Sequence, residues 1–532
     1  MSKVTPEKKA VFDFVDKNER WISDFHQEIW HYAEPAWREY KSVKAYIELL
    51  RKEGFQVEEG SGEMPTAFYA VWGEGRPIIG GFAEYDAVPG YNQAATPYKA
   101  LRDESLHPWA PGHTDPHSAL GVASLFGFIS AKRAMEEHGL KGTLKFFGEP
   151  AEKVCGSKAV HAAKGYFDDF DAATLYHPSG VNNVIYNIPF ASYWSQVYTF
   201  ETINPEKWFR PSGGPLRMGG RAPAALDAVC LMYTTTKYTK EAMLPHTGNW
   251  TLNEFLMVGG ECTSDNVPPK MGQIQYAFRC PTLTMQEQID KVLDNNAKGV
   301  GMITGTKVTK RIVARTRVGL PNLALSEIVY ENLKLAGSPK YDEKAKKIGR
   351  KIQENLGLEP MKKPFMKECE EIMTLEETDR RSRSMLPPWV ETTGSDDYVE
   401  YTWTCPGIRF HTARAVLRPY PNYDYPGWTR IAMGGMRETI DPMIFTCSKT
   451  MGASIVELIT SPEKLKRCKE EFKERTGGGI GGSKWVAPLL SRDFVPPIDL
   501  PWPEYVTTIR GTEWHLTKPG PAKEYKVLYE GL

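Results

Sequence analysis

The run SALGVASLFGFISAKRAMEEHGL, residues 118–140, constrains the fold more than any other stretch. It has helical length, is largely apolar, and stops near Gly139. A helix that is apolar nearly all round has to be covered on every side. Strand-like runs flank it: AFYAVWG (67–73) and PIIGGFAEYDAVPG (77–90) before it, TLKFFG (143–148) and DAATLYHPSG (171–180) after it. Further upstream, ERWISDFHQEIWHYAE and REYKSVKAYIELLRKEGF place apolar residues at three- and four-residue spacing, and the second stops at Gly54. Strands alternating with helices imply an α/β layer, a mixed and mostly parallel sheet flanked by helices.

The pattern shifts near residue 190. SYWSQVYTFE (192–201) reads as a strand and RAPAALDAVCLMYTTTKYT (221–239) as a helix. NEFLMVGGE and GQIQYAFRCP read as strands, and MQEQIDKVLDNNAKGVGMIT (285–304) as another helix. Strand, helix, strand, strand, helix is a compact α+β insertion. The expected organisation is a first α/β part over 1–190, the insertion over 191–312, and a second α/β part over 313–532. The last carries a helix at 451–477, irregular Pro- and aromatic-rich regions at 355–394 and 417–428, and a wrapping tail.

With 532 residues, two or three domains are expected. Lys and Arg balance Asp and Glu at 66 each, which argues against a nucleic-acid surface and gives no attraction to an anionic membrane. The first residues are charged and resemble no signal peptide, and no run approaches a membrane span. The eight cysteines are scattered with no C-x-x-C pair, as expected of a reduced cytoplasmic protein.

GHTDPHSALG, residues 112–121, places His113, Asp115 and His117 at alternate positions. In an extended segment such residues share a face, so Asp115 and His117 converge and His113 can join them. The helix that follows would turn its N-terminus to the site and favour an anion there. His with Asp suits Zn, Mn, Fe or Co. The competing reading is a polar turn with Asp115 as helix cap. Other candidates stand at strand ends, where sites form in open α/β sheets: the EYDAVPG run, Glu149 and Glu152 in GEPAEK, and His177 in YHPSG.

These stretches, with TAFYAVWGEGRPIIGGFAEYDAVPG, HSALGVASL, LKGTLKFFGEPAEK, GYFDDFDAATLYHP, GGECTSDNVPP and GSDDY, resemble the aminoacylase/carboxypeptidase family of metallopeptidases. The resemblance is to its p-aminobenzoyl-glutamate hydrolase and indole-acetyl-amino-acid hydrolase branch, over about residues 20–475. It implies a catalytic α/β domain interrupted by a lid domain that dimerises, hence a homo-oligomer acting on a small molecule. It also implies a two-metal site built from C-G-H, P-A-E-E, a later His and a final P-G-H. Asp115 stands at the bridging Cys, His117 and His177 at two histidines, and Glu152 at the general base. Two positions depart: Lys153 replaces the second Glu, and Trp428 in YPGWT stands at the last His. In the family both lost residues serve one metal. The expectation is therefore a mononuclear site on Asp115, His117 and His177, with His113 as a further ligand and the Lys153 ammonium at the vacated position. Mn or Zn is the expected ion, with Co, Fe or Ni as alternatives.

The resemblance implies hydrolysis of a C–N amide bond in an aromatic or N-acyl amino-acid-like substrate by a metal-activated water, with Glu152 as base. His246 matches a lid residue that stabilises the oxyanion across the dimer. Asn266 and Arg279 match residues that bind a substrate carboxylate, with Trp428 a further substrate contact; turn and strand-surface roles are the plain alternatives. The lid motif H-A-A is not recognisable near 203–210. Two other readings stay open: a hydrolytic deaminase or lyase acting on an aromatic acid walled by 417–428, and a non-catalytic partner subunit.

Overall fold

A computed structural model describes residues 4–203, 224–244, 249–260, 269–508, 511–516 and 526–531. The first sheet contains β1 (Gln56–Glu59), β2 (Phe68–Glu74), β3 (Ile78–Ala83), β4 (Gly142–Gly148), β5 (Ala172–Tyr176) and β6 (Asn183–Val184), joined much later in the chain by a strand at Gly407–His411. The second contains β7 (Phe190–Glu201), β8 (Thr251–Val258), β9 (Met271–Cys280) and β10 (Lys307–Arg315). The short β11 (Thr393–Ser395) pairs with β7, and the late strand of the first sheet is β12 (Gly407–His411). β13 (Pro503–Thr508) and β14 (Gly511–Leu516) form a hairpin, and β15 (Lys526–Tyr529) pairs with β10.

The strand order of the first sheet is β1-β2-β4-β3-β5-β12-β6. Its centre, β4-β3-β5-β12, is parallel and its margins are antiparallel. The expected α/β layer with an inserted α+β unit is what the chain forms, with parallel pairing confined to the middle. The second sheet, β15-β10-β7-β9-β8, is the insertion's. The C-terminal tail does more than wrap: β15 extends the insertion's sheet along β10.

Three helices open the chain: α1 (Pro6–Lys17), α2 (Glu19–Tyr32) and α3 (Tyr40–Lys52). α4 (His117–His138) follows β3, and the short α5 (Lys158–Ala163) follows β4. α6 (Ala225–Met243) and α7 (Leu283–Thr304) belong to the insertion, and α8 (Leu323–Ala336), α9 (Glu343–Asn355) and α10 (Leu375–Ser384) follow it. α11 (Gly427–Gly435), α12 (Arg437–Thr460) and α13 (Pro462–Thr476) complete the set. The helix expected at 451–477 is thus two. α12 begins earlier and encloses Pro442, and α13 restarts at Pro462, whose missing N–H suits a first helical position. The strand expected at 77–90 ends at Ala83, because Glu84 and Asp86 leave the sheet for buried partners. Part of 355–394 is helical as α10, held by a capping box between Thr374 and Glu377.

α4 is the buried centre, as its composition predicts. Val122, Leu125, Phe126, Phe128 and Ile129 are all fully buried. Glycines set its closest approaches. A Cβ on Gly127 would stand 2.8 Å from Met451 Cβ of α12. A Cβ on Gly121 would stand 2.6 Å from the Glu84 carbonyl oxygen at the end of β3. His117 lies one turn before Gly121, so this contact sets His117 over the carboxyl end of β3. No helix among the described residues is long and apolar enough to cross a membrane.

Glu457 of α12 ties three helices together. It accepts hydrogen bonds from Lys8 of α1 at 2.8 Å, from Asn332 of α8 at 2.6 Å, and from Lys464 of α13. Lys8 is 4% exposed. Burial pushes the Glu457 carboxyl up, but the bonds from Lys464, Lys8 and Asn332 override this and hold it below its usual value. Its contribution is therefore complete above the unfolded carboxylate range and is lost as pH falls through the lowered value. Glu457→Ala is expected to cost about 3–5 kcal/mol in chemical denaturation, since it strands a buried ammonium, and Lys8→Met in the same chain should recover most of that.

Candidate metal centre

The centre forms where β3, β4, β5 and β12 deliver their carboxyl ends. Glu84 and Asp86 follow β3, Glu152 and Lys153 follow β4, and His177 follows β5. Asp396 and Asp397 precede β12, and His117 opens α4. The site-facing atoms of Glu84, His117 and His177 lie within 4.8 Å of one another. So do those of Asp86, His117 and Glu152, those of Glu152, Cys155 and Asp397, and those of Glu84, Glu152, Asp396 and Asp397.

Both site histidines present Nε2 to the centre, for identifiable reasons. His117 Nδ1 lies 2.6 Å from Asp86 Oδ1, which holds a proton on that nitrogen. His177 Nδ1 donates to the Pro178 carbonyl at 2.7 Å. Each bond occupies Nδ1 and leaves Nε2 as the nitrogen that could ligate an ion. His117 Nε2 then faces Glu84 Oε2 and Glu152 Oε2, both at 3.3 Å, while His177 Nε2 faces Asp115 Oδ2 at 3.3 Å. The two rings stand edge to face, 5.8 Å apart.

The turn carrying Glu152 is held in a costly conformation. Ala151 and Cys155 both have positive φ, 55° and 50°, which L-residues adopt at about 1–2 kcal/mol each. Two carboxylates hold it there. The Ala151 N–H donates to Glu39 Oε1 at 2.7 Å, and the Lys153 N–H donates to Asp86 Oδ2 at 2.8 Å. Asp86 thus fixes His117 and the Glu152 turn together.

Lys153 Nζ lies 2.9 Å from His117 Nε2, 3.5 Å from Asp115 and 3.8 Å from Glu152. It is an ammonium set among groups that would otherwise face a metal ion. Burial opposes its charge, but Asp115 and Glu152 raise its pKa above the usual lysine value. Lys158 Nζ is 2.7 Å from both Glu84 Oε1 and Asp397 Oδ1, and 4.6 Å above the Phe82 ring. Asp396 is paired with Arg409. Burial, then the neighbouring Glu84, raise the Glu152 carboxyl. Asp115 is held well below the carboxylate range: burial acts the other way, but His177 and Lys153 override it.

The donor set fits a divalent cation. The carboxylates of Glu84, Asp86, Asp115, Glu152, Asp396 and Asp397 outnumber the permanent cations Lys153, Lys158 and Arg409. Glu84 Oε2 and Asp397 Oδ2 are buried without a hydrogen-bond partner among the described residues. Unpaired buried carboxylate oxygens are costly, and a cation would satisfy them.

The structure brings Asp115, His117, His177, Glu152 and Lys153 close together, but it is Glu84 rather than Asp115 whose carboxylate groups with His117 and His177. Asp115 does not cap α4: Pro116 holds that position without a side-chain bond. His113 is buried, but neither ring nitrogen has a partner among the described residues, and like Asp115 it stands outside the four ligand groups. The chain bends at 114–115, which breaks the extended alternation that would have aligned His113 with Asp115. Glu149 is held behind the centre by His161 and Tyr401. Trp428 opens α11 and packs with the cluster around Tyr341, Phe365 and Met433. In the aromatic run, Tyr425 bonds to Gln353 of α9. Arg279 stacks 4.8 Å above the Tyr193 ring. His246 and Asn266 lie outside the described residues. Glu84, Asp86, Lys158, Asp396 and Asp397 were missed, although EYDAVPG and GSDDY contain four of them. His411, bonded to Asn183 and close enough to His177 and Asp115 to feel their charge, was also missed.

Asp86→Asn is expected to lower divalent-metal affinity 10- to 100-fold, measured by competition with a chelating dye, because Asp86 orients His117.

No family model matches the chain. It is 26% identical over 481 residues to a subunit of p-aminobenzoyl-glutamate hydrolase from Escherichia coli, covering 88% of this chain and 95% of that protein. It is 23% identical over 344 residues to the Xaa-Arg dipeptidase of Mus musculus, covering 62% and 72%. Its fold is that of an aminobenzoyl-glutamate utilization protein from Klebsiella pneumoniae, with a TM-score of 0.52, 13% identity, and 83% and 98% of the two chains covered. The long sequence likeness, the shared fold and the assembled centre agree: the chain is similar to the p-aminobenzoyl-glutamate hydrolase branch of the aminoacylase/carboxypeptidase family, and it is a metal-dependent amidohydrolase.

Proposed function

We propose that the chain hydrolyses the amide bond of a small aromatic or N-acyl amino acid at a centre holding one divalent ion, with Glu152 as general base. The observation that carries this reading is the position of Lys153, whose ammonium stands 2.9 Å from His117 Nε2, among Asp115 and Glu152. A fixed charge there supplies part of what a second ion would. Glu84, His117 and His177, whose ligand atoms lie within 4.8 Å of one another, would hold the single ion, with Asp115 3.3 Å from His177 Nε2 as the adjoining carboxylate. Manganese or zinc suits two imidazoles and carboxylates. Such an ion, when bound, polarises a carbonyl and acidifies a water.

The chain's own residues would supply the rest. Glu152 stands next to His117 on a turn pinned by Glu39 and Asp86, so its carboxylate is placed to take a proton from water and return it to the departing nitrogen. Lys153 would balance negative charge that builds on the substrate oxygen. Arg279, stacked on Tyr193, is a candidate for a substrate carboxylate on the insertion's side, together with Asn266; His246 is the candidate oxyanion donor.

Residues 191–312 are proposed as the lid and as the surface that joins two copies. β8 is an edge strand with Phe255 and Leu256 exposed, and the adjacent α6 exposes Tyr233 and Tyr238. An uncovered apolar edge of this kind invites strand pairing. The Escherichia coli relative is named as one subunit of its enzyme, so an unlike partner is the other outcome of the same test. Phe255→Lys is expected to halve the mass in sedimentation equilibrium, and an unchanged mass would exclude this edge.

Metal content per chain is expected to be close to one in the wild type and near zero in His117→Ala, and Lys153→Glu should raise it toward two. A wild type with two ions would sink the single-ion reading and bring His411 into the ligand set. Glu152→Gln should keep its metal and lose about 10²–10⁴-fold in turnover of N-acyl amino acids. Release of two fragments marks amide cleavage, and ammonia with an intact carbon skeleton would mark the deaminase reading instead. Metal binding without turnover of either kind would leave the partner-subunit reading.

A further inference from the structure

Arg414 is 9% exposed, yet its guanidinium makes no hydrogen bond or ion pair among the described residues. It differs in this from every other buried arginine described. Arg38 pairs with Glu504, Arg311 with Asp499, Arg317 with Glu400 and Arg409 with Asp396. Its nitrogens are not among the fully enclosed unpaired atoms, so this nearly buried guanidinium keeps an opening through which an anion could reach it.

Its position is defined by its neighbours. The Arg414 N–H donates to the Ser179 carbonyl at 2.9 Å, two residues beyond His177. Ala413, Ala415 and Leu417 turn into the cluster around Tyr341 and Phe365. A Cβ on Gly180 would stand 3.3 Å from Val416 Cγ2, so the segment after β12 runs against the turn that follows His177. The groups that act on Arg414 include Asp115 and Arg430. Arg430 lies on α11 one turn before Gly434, where a Cβ would stand 3.8 Å from Pro116. α11 therefore carries Arg430 along the turn that holds Asp115. Arg430 is exposed and likewise makes no ion pair or hydrogen bond among the described residues.

Arg414 thus feels Arg430 and Asp115, as well as Tyr341 and Cys369, and Asp115 is already engaged by His177 and Lys153. Once that carboxylate serves a metal ion, both arginines lack a counter-ion on this side. Burial, and then Arg430, lower the Arg414 pKa to about 10, which leaves it charged at neutral pH.

We propose that Arg414, assisted by Arg430, is the receptor for a carboxylate of the substrate on the Asp115–His177 side of the centre. This site is separate from Arg279, which stands on a strand of the insertion. It deepens the amidohydrolase reading and rests on it for the word substrate. The substrate class is an amide that carries a carboxylate on the part held against the α/β sheet, and a planar guanidinium suits that group by paired hydrogen bonds.

The test is isothermal titration of the full chain, as purified, with benzoate as the carboxylate probe, benzamide as its neutral counterpart and inorganic phosphate as a competing anion. Benzoate is expected to bind at least tenfold more tightly than benzamide. Arg414→Met should remove about tenfold of benzoate affinity and leave benzamide binding unchanged, and Arg414→Lys should fall between. Arg430→Met, on an exposed position, should give a smaller loss and covers the case in which Arg414→Met fails to fold. Equal benzoate binding by the wild type and the arginine variants, no benzoate binding by the wild type, or phosphate binding more tightly than benzoate would each overturn the proposal. The titration needs no turnover, so its failure is distinct from a failure to hydrolyse amides.

Discussion

The Asp86 carboxylate joins the two halves of the centre. One oxygen holds the proton on His117 Nδ1 and the other accepts the Lys153 N–H. The first bond decides which histidine nitrogen faces the metal position. The second pins the turn that presents Glu152. Both depend on Asp86 leaving the end of β3, and on Gly121 letting α4 approach that strand end. A small rearrangement at this corner would move His117, Glu152 and Lys153 together, because one buried group fixes all three.

Charge balance explains the other neighbours. A group of carboxylates this dense cannot be buried without cations, since each unpaired charge costs several kcal/mol. Lys158 and Arg409 neutralise the side formed by Glu84, Asp396 and Asp397. Lys153 serves the side formed by Asp115 and Glu152. What is left unpaired, Glu84 Oε2 and Asp397 Oδ2, indicates where positive charge is still wanted. Arg414 is the complementary case, a buried cation still in want of an anion.

The legible parts of this chain were those with local periodicity or a contiguous motif. α4 was readable because its apolar residues cover the whole circumference of one helix, and β4 and β5 because short apolar runs end at clear turns. Asp115, His117 and Glu152 stood in short motifs. α12 is longer than its sequence pattern suggests because Pro442 interrupts that pattern, while packing against α4 and α8 keeps the segment helical. His113 misled because alternation was extended across a bend at 114–115 that only the fold reveals. Lys158 and His411 carry no local signal: each is an ordinary residue of its segment until distant strands bring it to the centre.

By itself the sequence determined the layered α/β class, the inserted α+β unit and the strand-end positions of its principal site residues. These follow from hydrophobic periodicity and from short motifs, which are properties of neighbours along the chain. The tertiary structure alone decided which carboxylates face which cations, which histidine nitrogens point inward, and that the Arg414 guanidinium has no ion-pair partner among the described residues. Those are properties of side chains far apart in sequence, such as Asp397 beside Lys158 or Arg414 near Asp115. Coulomb interaction and desolvation depend on distance and burial in space, and neither is encoded in the spacing of residues along the chain.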